Sequence, residues 1–280
     1  MHLRVIPVAL YFILCAGSCT KSQNNDENSP TQLLSIIQYI ERDYSQALSD
    51  LSQGDNLEYL EMKQLAHDAV QLTITMASPQ KIKNGVENLE SSITKIKPNN
   101  IIMGLSKNIA NHVVSVYELP TTPSHQINKK SGHSIFQQNC ASCHGDEGRG
   151  NGIAATGLIP PPTNFIAPEF KQFNSPFRIY NTINSGIAGT AMPSYRNLLS
   201  SNDIWNVSFY IAGLTTNKKP PFSQKTAEEL MSKGLDFETI TQSSDSELKS
   251  WLDKNSIKNL QSKPFVNSLR HQESLRILQQ

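Results

Sequence analysis

The chain has 280 residues, with 25 lysines and arginines against 24 aspartates and glutamates. Its length allows one or two domains, and its nearly balanced charge excludes the strongly basic surface that nucleic-acid binding requires. Beyond the N-terminal segment, no apolar run reaches the roughly 18 residues of a membrane-spanning helix.

The N-terminal segment predicts a secretory signal peptide over residues 1–18. A short basic start leads into an apolar run from Val5 to Ala16, which is too short to span a membrane in the mature protein. Small residues precede Cys19, as at a bacterial lipoprotein cleavage site, so Cys19 is the candidate lipidation site. Simple cleavage after Ser18 is the alternative. Either way, the expected location is the periplasm, and lipidation would anchor the chain to a membrane.

A polar tether over residues 19–29 is followed by a predicted helical bundle over residues 30–119. Four stretches in this region carry apolar residues at helical spacing. Ser29 and Pro30 form a helix start, and later breaks fall at Gly54, Pro79, Pro98 and Pro120. Four amphipathic helices with short links predict an up-down-up-down bundle.

Two pairs of glutamates in the bundle form a candidate iron site. Glu58 and Glu61 share one face of the second predicted helix, and Glu87 and Glu90 share one face of the third. Bundles can bind metal through inward carboxylates, and oxygen ligands suit ferric iron. The alternative is that these are ordinary charged residues on exposed helix faces, because such spacings also arise by chance.

After a polar linker at residues 120–130, the chain contains the motif C-x-x-C-H at Cys140, Cys143 and His144. Two thiols on one helical turn can form thioether bonds to both vinyl groups of one haem, and the adjacent histidine can ligate its iron. A redox pair would need a thioredoxin-like setting, and a zinc site would need a second Cys/His cluster. The sequence has neither, so the motif predicts one covalently bound haem c.

Rigid and flexible segments follow the motif. Glycines between Gly148 and Gly152 predict a tight turn beside the flat cofactor. The proline run at residues 160–162 is expected to hold a backbone carbonyl against His144 and so fix its ring orientation. The sequence does not identify which residue supplies this carbonyl.

Met192 is the candidate sixth ligand of the haem iron. The chain has six methionines, and Met192 stands on a loop flanked by Gly189 and Pro193. A thioether ligand favours ferrous iron and raises the potential of the haem. The alternative is a loop methionine that only fills a gap.

Further helices are expected after the motif. Ser200 and Asp203 form a helix start, and this helix should run to Leu214 and cross the one that contains Gly132 and Phe136. In the C-terminal extension, residues 217–280, helix starts are expected at Thr226-x-x-Glu229 and Ser244-x-x-Glu247.

Residues 136–214 resemble a class I cytochrome c domain, with Cys140, Cys143, His144 and Met192 at the matching positions. The stretches CASCHGDEGRGNGIAATGL, PPPTNF, IYNTINSGIAGTAMPSY and WNVSFYIAGL are similar to the cytochrome domain at the front of some bacterial iron permeases of the Ftr type. The stretches LLSIIQYIERDYSQAL and EYLEMKQLA resemble the helical region before that domain, and SDSELKSWL and SLRHQE resemble the region after it. The permease's membrane helices and Arg-Glu-Gly-x-x-Glu motif are absent, so the chain is expected to be its soluble front part.

The residues and the resemblance together imply an all-α protein: an N-terminal helical bundle, a class I cytochrome c domain over residues 131–216, and a short helical C-terminal extension. The resemblance implies a periplasmic one-electron carrier, not an enzyme, that is coupled to ferrous iron oxidation in iron uptake with a membrane permease partner. One alternative is a respiratory shuttle to a terminal oxidase. Others are a metal-binding bundle with an accessory cytochrome, and a haem peroxidase, which would need an open iron position.

Overall fold

The computed structural model describes residues 29–214, 224–255, 257 and 269–270, and every regular element in these residues is helical. This confirms the predicted all-α class. No helix in the described ranges is both long and apolar enough to cross a membrane. The signal segment, Cys19 and the junction near residue 217 lie outside the described residues.

Four helices form the N-terminal bundle: α1 (Pro30–Ser52), α2 (Leu57–Thr75), α3 (Gln80–Thr94) and α4 (Asn99–Val116). Each helix packs against the next, and α4 packs back against α1. Because the links are short, successive helices run antiparallel, which gives the predicted up-down-up-down order.

The bundle's helix boundaries follow from local sequence signals. The Ser29 hydroxyl caps α1 by accepting a hydrogen bond from the backbone N–H of Gln32 at 3.3 Å, and Pro30 occupies the first turn. Pro79 and Pro98 immediately precede α3 and α4. Fully buried apolar side chains fill the space between the helices, among them Leu33, Ile37, Tyr44, Met62, Leu89 and Val113.

The second domain consists of α5 (Lys129–Asn139), α6 (Ala141–His144), α7 (Pro168–Phe173), α8 (Pro176–Ser185) and α9 (Ser201–Ala212). Helix α5 begins inside the segment that the sequence predicted as a linker. Ile127 in that segment is only 1% exposed, and the Asn128 backbone N–H donates to Asn206 Oδ1 at 2.8 Å. The end of the predicted linker is therefore part of the domain that follows it.

Helices α5 and α9 cross at Gly132, as the sequence predicted. A Cβ atom at Gly132 would lie 2.2 Å from the Asn206 carbonyl oxygen and 2.9 Å from Tyr210 Cβ. Only glycine allows this close approach of the two backbones. The crossing buries Phe136 completely, and the centroid of its ring lies 5.4 Å from that of Tyr210.

The described part of the C-terminal extension contains α10 (Gln224–Ser232), α11 (Phe237–Gln242) and α12 (Asp245–Lys254). Helix α10 begins two residues before the predicted start at Thr226, whereas α12 begins with the predicted capping box of Ser244 and Glu247. Helix α11 packs against α8 and α12 against α7, so these helices extend the second domain.

Candidate haem site

The C-x-x-C-H motif begins at Cys140, directly after α5, and continues on the short helix α6. Cys140 and Cys143 are partly buried and are not joined by a disulfide. Burial, with a smaller effect from Cys143, raises the pKa of the Cys140 thiol to about 12. Cysteines of C-x-x-C redox pairs have lowered pKa values, so this environment argues against a redox pair.

His144 ends α6, and its ring is fixed by a backbone carbonyl. Its Nδ1 lies 3.0 Å from the carbonyl oxygen of Thr163. Burial lowers the pKa of His144 and outweighs the opposing effect of this hydrogen bond. The ring is therefore neutral near pH 7, and Nδ1–H donates to Thr163 while the Nε2 lone pair stays available to a metal ion.

Thr163 is the residue that the sequence could not identify. It directly follows Pro162, so the proline run places the carbonyl opposite His144, as expected. The ring of Phe165 stacks on the ring of His144, with centroids 4.3 Å apart. The carbonyl and the stacked ring together define the plane of the imidazole.

The glycine turn after the motif packs against α6. The backbone N–H of Gly150 donates to the His144 carbonyl oxygen at 2.7 Å, and that of Gly152 donates to the Cys143 carbonyl oxygen at 3.0 Å. Gly150 has a φ of +76°, and a Cβ atom there would lie 2.3 Å from the Pro162 carbonyl oxygen. This position therefore needs glycine, because a side chain would push the proline segment away from the motif.

Met192 is partly buried on the segment between α8 and α9, here called the Met192 loop (residues 186–197). Its carbonyl oxygen accepts a hydrogen bond from the Ile187 N–H at 3.1 Å. This bond joins the two arms of the loop at residues 187 and 192. The Tyr195 hydroxyl donates to the carbonyl oxygen of Asn139 at 2.9 Å. Because Asn139 is the last residue of α5 and directly precedes Cys140, this bond attaches the Met192 loop beside the motif.

Tyr195 lies beside the motif, since its hydroxyl contacts the residue that precedes Cys140. Burial, and after it the neighbouring Cys140 and Cys143, raises the pKa of Tyr195. The sequence motifs did not identify this tyrosine as a site residue. Its only signal was its position three residues after the candidate ligand, in Met-Pro-Ser-Tyr.

The other described methionines lie elsewhere. Met62 is completely buried in the bundle core, the Met103 sulfur accepts a hydrogen bond from Asn99 at 3.3 Å, and Met231 is 43% exposed on α10. Met76 packs against the bundle core. Among the described methionines, Met192 alone stands on a loop attached to the haem motif.

The residues fit a covalently attached haem. Two unlinked thiols on one turn can form the thioether bonds, and a neutral, oriented imidazole offers one nitrogen ligand. A thioether sulfur lies on a loop tied to the same motif and offers a further ligand of a type that suits haem iron.

The structure does not bring the four predicted glutamate ligands together. Glu61 accepts a hydrogen bond from the Tyr39 hydroxyl at 3.4 Å, whereas Glu90 lies 3.0 Å from His67 Nδ1. A rise of about 1.5 Å per residue separates Glu61 from His67 by about 9 Å along α2. In the part of the chain that the structure describes, no three His, Cys, Asp or Glu side chains form a group that could hold a metal ion.

The physical reason lies in how α2 packs. Glu58 and Glu61 lie beside each other near α1, and burial followed by neighbouring negative charges raises the pKa of Glu58. Glu90 meets α2 further along the helix, and Glu87 is exposed. The sequence spacing places each glutamate pair on one face of its helix. The face of α2 that carries Glu58 and Glu61 does not meet the face of α3 that carries Glu87 and Glu90.

Residues 128–211 match the family model described as cytochrome c oxidase, cbb3-type, subunit III. The matched segment runs from the start of α5 nearly to the end of α9 and includes the motif and the Met192 loop. The chain therefore contains a cytochrome c domain, which carries covalently bound haem c and takes part in electron transfer.

Two similar proteins are described as cbb3-type cytochrome c oxidase subunit FixP. That of Bradyrhizobium diazoefficiens is 32% identical over 111 residues, covering 39% of this chain and 35% of that protein. That of Bradyrhizobium sp. ORS 278 is 30% identical over 124 residues, covering 44% of this chain and 38% of that protein. The chain thus spans little more than a third of the length of these relatives.

Among solved structures, the Kuenenia stuttgartiensis reducing HAO-like protein complex matches with 25% sequence identity and a TM-score of 0.30. The match covers 41% of this chain and 60% of that one. A TM-score this low does not establish a common arrangement of the helices.

Proposed function

We propose that Cys140 and Cys143 would attach the haem through thioether bonds, and that His144 and Met192 would ligate its iron. The hydrogen bond from His144 Nδ1 to the Thr163 carbonyl oxygen is the observation that carries this assignment. This hydrogen bond fixes the tautomer of His144 and leaves the lone pair of Nε2 free to ligate a metal ion. The bound haem supplies one-electron exchange between ferric and ferrous iron.

The protein's own residues would then determine the reduction potential of the haem. The soft sulfur of Met192 favours ferrous iron and raises the potential, and Thr163 and Phe165 keep His144 in one orientation. Because Met192 would close the second axial position, the site suits electron transfer better than peroxidase chemistry, which needs an open position. We propose that the domain predicted at residues 131–216, extended at its start to Ile127, performs this role.

The axial assignment is tested with Met192→Ala. We expect this change to remove the weak far-red band of the oxidised protein, which arises from sulfur bonded to iron, and to lower the reduction potential. Met231→Ala is the matched control, because Met231 is an exposed methionine on α10. A band and potential that survive Met192→Ala would mean that another residue ligates the iron.

The cytochrome c domain implies a periplasmic or membrane-associated location, and we propose the periplasm with a lipid anchor on Cys19. The support is the predicted signal peptide and the small residues before Cys19. The protein should partition with membranes, and Cys19→Ser should release it into the soluble fraction. Wild-type protein that is already soluble and has an unmodified Cys19 would contradict the anchor.

We further propose that the electron donor is ferrous iron, oxidised during uptake by a membrane permease. The resemblance of residues 30–119 and of the haem domain to the front part of Ftr-type permeases supports this role. Each ferrous ion would lose one electron, and one haem would gain it. This step does not involve Glu58, Glu61, Glu87 and Glu90, because the structure does not bring them together.

A second candidate is a respiratory shuttle that delivers electrons to a terminal oxidase. The match of residues 128–211 to subunit III of cbb3-type cytochrome c oxidase favours it. In this role the bundle would be a docking module.

Two measurements separate these candidates. Oxidised protein is mixed with ferrous iron in a stopped-flow spectrometer, and reduced protein is mixed with membranes that contain a cbb3-type oxidase. Fast reduction by iron with slow oxidation by these membranes supports the iron role. Fast, cyanide-sensitive oxidation by the membranes with slow reduction by iron supports the shuttle.

A further inference from the structure

Helix α1 of the bundle packs along α8, the helix that leads into the Met192 loop. Arg178 on α8 donates to Glu41 on α1 at 2.9 Å, and their side chains are only 14% and 9% exposed. One turn further along α8, the Asn181 amide donates to the side-chain oxygen of Gln38 at 3.1 Å. The bundle and the haem domain are thus joined by polar contacts that are shielded from water, where such contacts are stronger than on the surface.

The same series of contacts continues to both ends of the Met192 loop. At the end of α8, the Asn184 side chain donates to Thr31 Oγ1 on α1 at 3.5 Å. Near the other end of the loop, Arg196 donates from Nη1 to Ser29 Oγ at 3.3 Å and from Nε to the Asn184 carbonyl oxygen at 3.2 Å. The first turn of α1 therefore holds the start and the end of the loop together.

The middle of the loop is not packed against the bundle. A cleft of about 570 Å³ lies between Gln32, Ile36 and Tyr39 on α1 and Ile187, Gly189 and Met192 on the loop. The hydrogen bonds that α1 and its cap make to this region lie at the two ends of the loop.

We propose that α1 positions the Met192 loop, so that the bundle strengthens the bond between the Met192 sulfur and the haem iron. The inference rests on the proposed ligation by Met192. Groups around a metal ligand orient it, and losing them weakens metal binding by about 10-fold to 100-fold. Gln38 and Glu41 are positioning residues in this arrangement, because they act through α8 and the loop.

The test compares two double variants of α1 in the full, haem-loaded protein. Gln38→Ala/Glu41→Gln removes the acceptor for Asn181 and the negative charge that faces Arg178 on α8. Gln46→Ala/Asp50→Asn is the matched control, since Gln46 donates to Asp50 at 2.7 Å on the exposed face of the same helix. Imidazole is titrated into the oxidised proteins, because it must displace the methionine in order to bind iron. Hydrogen exchange of residues 186–197 is measured in parallel.

We expect Gln38→Ala/Glu41→Gln to bind imidazole about 10-fold more tightly than wild type, as a weakened iron–sulfur bond requires. Hydrogen exchange in residues 186–197 should become faster, and the control should match wild type in both measurements. Wild-type imidazole affinity and exchange in Gln38→Ala/Glu41→Gln would overturn the proposal.

Two further variants keep the test decisive. If Gln38→Ala/Glu41→Gln loses its haem or its helical signal, Thr31→Val replaces it, because it removes a single hydroxyl group, which contacts Asn184 at 3.5 Å and Ser29 at 2.9 Å. Unchanged imidazole affinity and loop exchange in Thr31→Val would then overturn the proposal. Met192→Ala distinguishes a failure of the proposed ligation from a failure of the positioning role: if it binds imidazole as wild type does, the proposed ligation fails. If Met192→Ala binds imidazole more tightly and the α1 variant does not, only the positioning role fails.

Discussion

Single hydrogen bonds determine how the two sides of the haem site are held. On the His144 side, the Thr163 carbonyl oxygen fixes the imidazole through Nδ1. On the Met192 side, the Tyr195 hydroxyl joins the loop to the carbonyl oxygen of Asn139. Both acceptors are backbone carbonyls, so their positions depend on the path of the chain and not on the identity of a side chain.

Replacing Tyr195 with phenylalanine should therefore destabilise the domain by about 1 kcal/mol, the typical contribution of one hydrogen bond. Chemical denaturation of the haem-loaded protein measures the change, and the far-red band should weaken as the loop loosens. Tyr210→Phe is the control, because the Tyr210 hydroxyl has no hydrogen bond to any described residue. Equal effects of the two substitutions would contradict the role assigned to Tyr195.

At the scale of helices, the crossing of α5 and α9 depends on one glycine. A Cβ atom at Gly132 would meet the backbone of Asn206, which cannot move aside as a flexible side chain can. The crossing is what places the start of the haem motif, because Cys140 directly follows α5.

Gly132→Ala should consequently destabilise the protein by about 1–3 kcal/mol, the usual cost of overpacking a close contact. Gly104→Ala is a matched control: Gly104 is also inside a helix, but a Cβ atom there meets nothing within 4 Å. That control should be neutral or stabilising by about 0.5–1 kcal/mol, because alanine favours a helix more than glycine does. Denaturation midpoints test both expectations, and a Gly132→Ala protein as stable as wild type would refute the close crossing.

Across the whole molecule, buried ion pairs join segments that are distant in sequence. Arg178 links α8 to Glu41 of the bundle, and within the C-terminal extension Arg270 pairs with Asp245 at the start of α12. The Arg270 side chain is 1% exposed and also donates to the Ser243 carbonyl oxygen. Its own carbonyl oxygen accepts a hydrogen bond from Lys129 of α5 at 3.1 Å.

Removing one partner of such a pair leaves a buried charge without compensation. Arg270→Ala should therefore destabilise the protein by about 3–5 kcal/mol, as measured by thermal or chemical unfolding. Removing both charges, in Asp245→Ala/Arg270→Ala, should cost less than the single change. A double variant that is less stable than the single variant would argue against a buried pair.

The sequence by itself determined the features that depend on neighbouring residues. The C-x-x-C-H spacing lies within one helical turn, so it predicts haem attachment without knowledge of the fold. The Ser29 cap and the prolines before α3 and α4 predicted where α1, α3 and α4 begin. Ser244 and Glu247 predicted where α12 begins. These signals are local because helix ends are formed by residues three or four positions apart.

The tertiary structure alone decided how distant residues meet. Thr163, not another residue of the proline segment, binds His144, and Glu90 pairs with His67 instead of joining Glu58 and Glu61. The contact of α1 with α8 was likewise absent from every sequence signal. Periodicity defines which residues share a helix face, but the rotation and offset of two packed helices depend on the whole set of side chains between them.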